Sequence, residues 1–451
     1  MSTRLIESLA TTEAMASVFC DGSVLQAMLD FESALARAEA RAGVIPATAA
    51  TAITQAAQAE GWNTADLARQ SLRAGTPAIP LVLMLTARVR GRDPESAGFV
   101  HWGATSQDVT DTALVLLLRR CRETLEADHR RIHRQLNRIS EEHAASVMLG
   151  RTLLQPAPPI TFGLKAAGWL AAIGRSWANI ARAFDEALIL QFGGASGTLA
   201  ALGDCGLAVS QALAEELALP CPAAPWHSHR DRMASLMTSL GVYTASLGKM
   251  ALDLSLLMQY EVGEVAEPAG DGRGGSSTMP NKRNPTACML TLSAAHRVPG
   301  LVANFLSGML QEHERAVGGC QAEWSTVAGI VQSAGVAVSS MAEAAAGLAV
   351  YPGRMRANIE ATRGAVFAER ATVLLGPALG RDRAHRLMEE AARQSADTGR
   401  TLAEVLAGMA EVARLLTSAQ LASLQTPEAY LGSAEAFRVR LLSGHALKST
   451  D

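Results

Sequence analysis

Between residues 272 and 285 the chain reads Gly-Arg-Gly-Gly-Ser-Ser-Thr-Met-Pro-Asn-Lys-Arg-Asn-Pro, too rich in glycine and proline for a helix or strand. It must be a loop. Consecutive backbone N–H groups in a Gly/Ser turn can converge on an anion. Lys282 and Asn284 add a positive charge and a neutral donor, Ser276 and Ser277 add hydroxyls, and Met279 stands among them. In outline this is an oxyanion site. The same composition also suits a plain surface connector, and taken alone it does not decide between the two.

Three further runs carry polar chemistry. Val100 to Thr112 reads Val-His-Trp-Gly-Ala-Thr-Ser-Gln-Asp-Val-Thr-Asp-Thr; Asp108 to Thr112 suit the capping of a helix, but His101, Thr105, Ser106 and Gln107 are left unexplained as a group. Gly150 to Pro159 breaks the chain between two helical stretches and contributes Gln155. Gln311-Glu312-His313-Glu314-Arg315 offers the cation Arg315. Histidines 101, 227 and 313 suit hydrogen-bonded structural roles as well as proton transfer, with His101 the best placed of the three for chemistry.

Other chemistries find little support. The six cysteines, at 20, 121, 205, 221, 288 and 320, form no C-x-x-C pair and no zinc-like spacing, so neither a metal site nor a disulfide framework is signalled. They read as reduced and mostly packed thiols, and no cofactor is called for. A formal net charge of -3 gives no general attraction to nucleic acid or to an anionic membrane surface. The basic run Arg130-Arg131-Ile132-His133-Arg134 fits a solvated helix face. Met1 to Glu7 lacks the apolar run of a signal peptide, and no uncharged apolar stretch of membrane-spanning length follows, so a cytoplasmic protein is expected.

The elements that must position these residues are helical. With 49% hydrophobic and 18% charged residues, 451 residues can bury a large core. From Thr112 to about Ser146, apolar residues at 114, 118, 121, 125, 132, 136 and 139 fall on one stripe of a helix about 50 Å long at ~1.5 Å per residue. A second seam, at 236, 240, 243, 247, 250, 254 and 257, runs from near Arg230 to the Glu267-Pro268 break. Similar patterns cover Phe162 to about Leu188 and Ala322 to about Leu348. Strand patterns are scarce. The expectation is an all-α chain of three helical domains: 1–111, a central long-helix bundle 112–355 holding the loop 272–285, and a small helical domain 356–451. Helices this long need partners along their whole length, which points to bundles from several chains packing together.

Gly275 to Pro285, GSSTMPNKRNP, resembles the signature loop of the fumarase/aspartase superfamily, and GATSQD at 103–108, GRTLLQPA at 150–157 and QEHER at 311–315 follow in that superfamily's order and spacing. The resemblance covers nearly the whole chain. It implies a homotetramer with a multi-helix core, and active sites assembled from three subunits around a small polycarboxylate. It also implies that Ser276 is the acid/base group next to a carboxylate and that Lys282 and Asn284 stabilise the aci-carboxylate. Thr105, Ser106 and Gln107 match carboxylate-binding positions.

Two departures narrow the branch. The adenylosuccinate lyase branch carries a histidine after the Arg-Thr of the third segment and another near the end of the first domain. Here those places read Arg151-Thr152-Leu153 and Ala74 to Pro80, without histidine. An amine, guanidine or hydroxide leaving group needs a general acid, which leucine cannot be. A lactone carboxylate, with a pKa of about 4, needs none. The segments at 191–197 and 225–232 resemble the bacterial 3-carboxy-cis,cis-muconate cycloisomerase branch, from whose glutamine His229 departs. That branch implies lactone formation in aromatic-compound breakdown, with Arg315 and Arg151 as cations for a substrate of about three negative charges. Another lyase of the superfamily, or a non-catalytic helical protein, are the alternatives.

Overall fold

The computed structural model describes residues 5–270, 274–275, 279 and 282–444. Helices dominate, and six have 21 residues or more: α1 (Asp21–Arg41), α2 (Ser106–Glu142), α3 (Phe162–Ala187), α4 (Asp231–Leu257), α5 (Thr286–Ser307) and α6 (Gly319–Ala346). The stripe from Leu114 to Ile139 on α2 and the seam from Leu236 to Leu257 on α4 are buried at every position named above. Helix α2 starts six residues before Thr112, because the Thr105 carbonyl accepts from the N–H groups of Asp108 and Val109 and so opens the first turn. Helix α4 stops at Leu257, before the Glu267-Pro268 break, and the chain between them holds the short strand Val265–Ala266.

The chain divides into two compact units: Met1–Arg130 with Ser176–Gly248 and Leu290–Ser340, and Arg131–Arg175 with Lys249–Met289 and Met341–Asp451. In the first, α1 buries Leu25, Met28, Leu29, Phe31 and Leu35 and packs on the helices Ala47–Ala56 and Gly206–Leu217. The unit's stretches of α4 and α5 approach closely where side chains are absent: a Cβ on Gly248 would lie 2.6 Å from the Ala295 Cβ. Helix α6 alone among the described helices is long and apolar enough to cross a membrane. Yet 72% of its apolar window is buried inside the protein, which is how a core helix is built.

The second unit contains a hairpin that the sequence pattern did not suggest. Val147–Thr152 (β1) pairs antiparallel with Gln155–Thr161 (β2), with an irregularity between Leu149 and Gly150. Three prolines, at 156, 158 and 159, disguise β2, since each removes a ladder donor. Val147 and Leu149 pack with Ile359, Phe367, Leu375, Leu387, Leu402 and Leu406 of the C-terminal helices, which form this unit's own core. A two-stranded ribbon is marginal alone, and this packing supplies the rest. A second small ribbon joins Val265–Ala266 (β3) to Ala349–Val350 (β4).

Candidate active site

In the first unit the polar run before α2 folds against the loop at 193–194. Asp108 is the hub. Its carboxylate accepts from Thr105 N at 3.0 Å, Gly193 N at 3.0 Å, Gly194 N at 2.9 Å and His227 Nε2 at 2.7 Å. Only the Thr105 bond is the local capping read from the sequence. Gly194, at φ +69°, must be glycine: a Cβ there would lie 2.9 Å from the Gly103 carbonyl.

Arg315 closes the arrangement. Its guanidinium donates from Nη1 to Thr105 Oγ1 at 2.7 Å and from Nη2 to the Gly194 carbonyl at 2.8 Å, while its buried Nε has no partner. Both partners are neutral, and no carboxylate pairs with the Arg315 guanidinium among the described residues. Thr105 accepts this bond and keeps its own hydroxyl proton to donate. Ser106, the first residue of α2, is half-buried beside it at the positive end of the helix. A guanidinium, two hydroxyls and a helix N-terminus are groups that can together bind a carboxylate.

The Gln107 amide and the Nδ1 of His101 are engaged elsewhere. The buried Gln107 amide donates to Asp111 Oδ2 at 3.1 Å and to the His227 carbonyl at 2.9 Å. His101, at φ +61°, places Nδ1 2.7 Å from Glu32 Oε1. Burial opposes the ring's charge, but the Glu32 carboxylate, with help from Asp108, outweighs it and lifts the imidazole above its ordinary range. On the same helix as Glu32 the buried Glu39 carboxyl has no hydrogen-bond partner among the described residues, and burial together with the Glu32 charge pushes its pKa up to about 9.

Deeper in this unit Arg230, 2% exposed, donates to both oxygens of Asp111 at 2.8 and 3.0 Å and to Glu323, with its guanidinium 4.7 Å from the centre of the Trp226 ring. The sequence marked Arg230 only as part of a motif. Its partners lie 119 and 93 residues away, beyond the reach of any local pattern.

The second unit holds the remaining candidates. Ser276 and Ser277 lie outside the described residues. The ends of their loop are tied together: Asn284 N donates to the Gly274 carbonyl at 2.8 Å, and Asn284 Nδ2 donates to the Gly275 carbonyl at 3.3 Å. Lys282 is exposed, and Lys282 N donates to the carbonyl of the exposed Met279 at 3.0 Å. The buried Glu267 carboxylate accepts from Ala287 N and Cys288 N, both at 2.9 Å, and so caps α5 just after the loop. A cavity of about 170 Å³ is lined here by Glu267, Gly274, Lys282 and Asn284.

Gln155 is exposed at the end of the hairpin, opposite Thr152. Leu153 and Leu154 between them have φ of +51° and +64° and are 96% and 75% exposed. No acid stands at the tip. Arg151 is not a free cation: it forms a two-pronged pair with the buried Glu264 at 2.7 and 3.0 Å, to which Asn358 Nδ2 also donates at 2.7 Å. A salt-bridged guanidinium of this kind holds structure rather than a passing anion.

Residues 8–300 match the family described as Lyase, and residues 364–441 match the adenylosuccinate lyase C-terminus. A 3-carboxy-cis,cis-muconate cycloisomerase from Bradyrhizobium diazoefficiens is 46% identical over 98% of this chain and 99% of its own. A nitrosuccinate lyase from Streptomyces davaonensis is 41% identical over 94% and 91%. The crystal structure of the 3-carboxy-cis,cis-muconate lactonizing enzyme from Pseudomonas putida superposes with a TM-score of 0.92 at 43% identity, covering 98% of each chain. The chain therefore belongs to the Lyase family, within the fumarase/aspartase superfamily of all-α enzymes.

Proposed function

We propose that the protein is a cycloisomerase that closes 3-carboxy-cis,cis-muconate, or a close 3-substituted muconate, to its muconolactone in the breakdown of aromatic compounds. One carboxylate oxygen forms a bond to an alkene carbon, and the neighbouring carbon, next to another carboxylate, takes up one proton; no group leaves. Ser276 is the proposed proton donor, with Lys282 and Asn284 stabilising the intermediate aci-carboxylate. A serine hydroxyl exchanges this proton only if a nearby cation and donors stabilise its anion, which is the task assigned to Lys282.

The observation that carries the reading is the Arg315 guanidinium set between two neutral acceptors, Thr105 Oγ1 and Gly194 O, beside Ser106, a carboxylate subsite with its charge unspent. The hairpin tip gives separate support. Leu153 offers no general acid, and a lactone-forming carboxylate needs none. The same argument admits a second reading. Nitrite is also a weakly basic leaving group, so elimination from nitrosuccinate is compatible with the acid-free tip, and the 41% identical relative bears that activity in its name.

The remaining assignments belong to the same proposal. Gln155, Ser277, Met279 and His101 contribute substrate contacts, Gln107 shapes its segment, and no metal or cofactor takes part. The three-domain division at 1–111, 112–355 and 356–451, a homotetramer with sites shared between subunits and a cytoplasmic location complete it. The test is the loss of ultraviolet absorbance of 3-carboxy-cis,cis-muconate in the presence of chelator. Ser276→Ala should lower turnover by about 10²- to 10⁴-fold. Undiminished lactonisation by Ser276→Ala would refute the proton donor. Nitrite release from nitrosuccinate without muconate turnover would establish the second reading.

A further inference from the structure

The four bonds into Asp108 and the two out of Arg315 share two loops. Asp108 ties the N–H groups of Thr105, Gly193 and Gly194. Arg315 is held by oxygens of Thr105 and Gly194. The carboxylate therefore fixes, through the backbone, the two acceptors that aim the guanidinium. His227, buried against Asp108 at 2.7 Å, supplies the fourth bond, and because an ionised carboxylate only accepts, the shared proton sits on Nε2. Gln107 keeps the His227 backbone in place by donating to its carbonyl at 2.9 Å.

Resting on the reading of Arg315 as a substrate anion site, we infer that Asp108, oriented by His227, is a positioning residue for that site: it sets where the Arg315 charge is presented. Asp108 never meets the substrate. Each carboxylate oxygen takes two of the four bonds, so an asparagine, which keeps one accepting oxygen and turns an NH₂ group toward N–H donors, loses two of them whichever way its amide points. Displacing a binding group by about 1 Å can cost on the order of 10²-fold. Because a subsite that holds a non-reacting carboxylate acts in ground and transition states alike, the loss should fall on KM.

The experiment is a double-mutant cycle on 3-carboxy-cis,cis-muconate turnover, paired with calorimetric binding of tricarballylate as a non-reacting tricarboxylate. Asp108→Asn should raise KM about 10- to 100-fold with kcat changed less than about 3-fold. In an Arg315→Ala background the same change should add less than about 3-fold. His227→Ala should repeat the pattern more weakly, and His227→Gln, which keeps an N–H donor, should restore much of it. This pair also carries the test if Asp108→Asn does not fold. Multiplying KM effects, or a loss confined to kcat or to thermal stability, would overturn the inference. Tricarballylate binding that shows the coupling without muconate turnover would uphold the positioning role and reject the reaction. Turnover without coupling would do the reverse, and neither turnover nor binding would reject both.

Discussion

Arg230 and Arg315 belong to the same unit and carry the same charge, yet the fold treats them in opposite ways. Arg230 is enclosed by Asp111, Glu323 and the face of Trp226, so its charge is consumed within the protein. Arg315 is held just as firmly, but by a hydroxyl and a carbonyl, which orient a guanidinium without neutralising it. A fixed and unspent charge is what a subsite for an anion requires; a fixed and spent one is scaffolding. Arg151, paired with Glu264 in the other unit, falls with Arg230.

The sharpest way to break this comparison is to remove each guanidinium. Arg230→Met strands two buried carboxylates and should cost about 3–5 kcal/mol in chemical denaturation. Arg315→Ala should change stability by less than about 1 kcal/mol while lowering kcat/KM by about 30- to 1000-fold, the loss expected of a charge-assisted contact. Equal stability costs at the two positions would end the distinction.

Helix α1 repeats the contrast with carboxylates. Glu32 has His101, whereas Glu39 has no hydrogen-bond partner among the described residues. With a folded pKa of about 9 against an ordinary value of 4.5, Glu39 stays protonated in the folded state while the unfolded chain ionises, so stability falls as pH rises through that window. Glu39→Gln should therefore be neutral near pH 4.5 and stabilising by about 1–3 kcal/mol at pH 8, with thermal unfolding at the two pH values as the check. The smallest effect is expected at His101. Its pKa is raised, so the Glu32 pair contributes fully below about pH 6.5 and is lost as pH rises through the folded pKa. His101→Gln should cost about 1 kcal/mol at pH 6 and less at pH 9.

What the sequence disclosed follows the reach of its patterns. The stripes on α2 and α4 repeat every three or four residues, and they are buried as expected. The proposed subsite residues Thr105 and Arg315 stand out in their segments, but their contact spans 210 residues and has no periodic signature. Asp108 was read as a cap because one of its bonds is local, while the three that matter for the subsite come from 85, 86 and 119 residues away. The hairpin escaped notice because its turn is built from two leucines, where asparagine and glycine would have announced it.

That turn has a consequence for engineering. A left-handed conformation costs a leucine roughly 1–2 kcal/mol, so two in succession hold back a few kcal/mol that an Asn-Gly pair would release. A stabilising change is therefore available at the tip by substituting two adjacent residues. Leu153 and Leu154 also hold two large apolar side chains out in solvent, so the tip combines backbone strain with exposed apolar surface, and an Asn-Gly pair would relieve both.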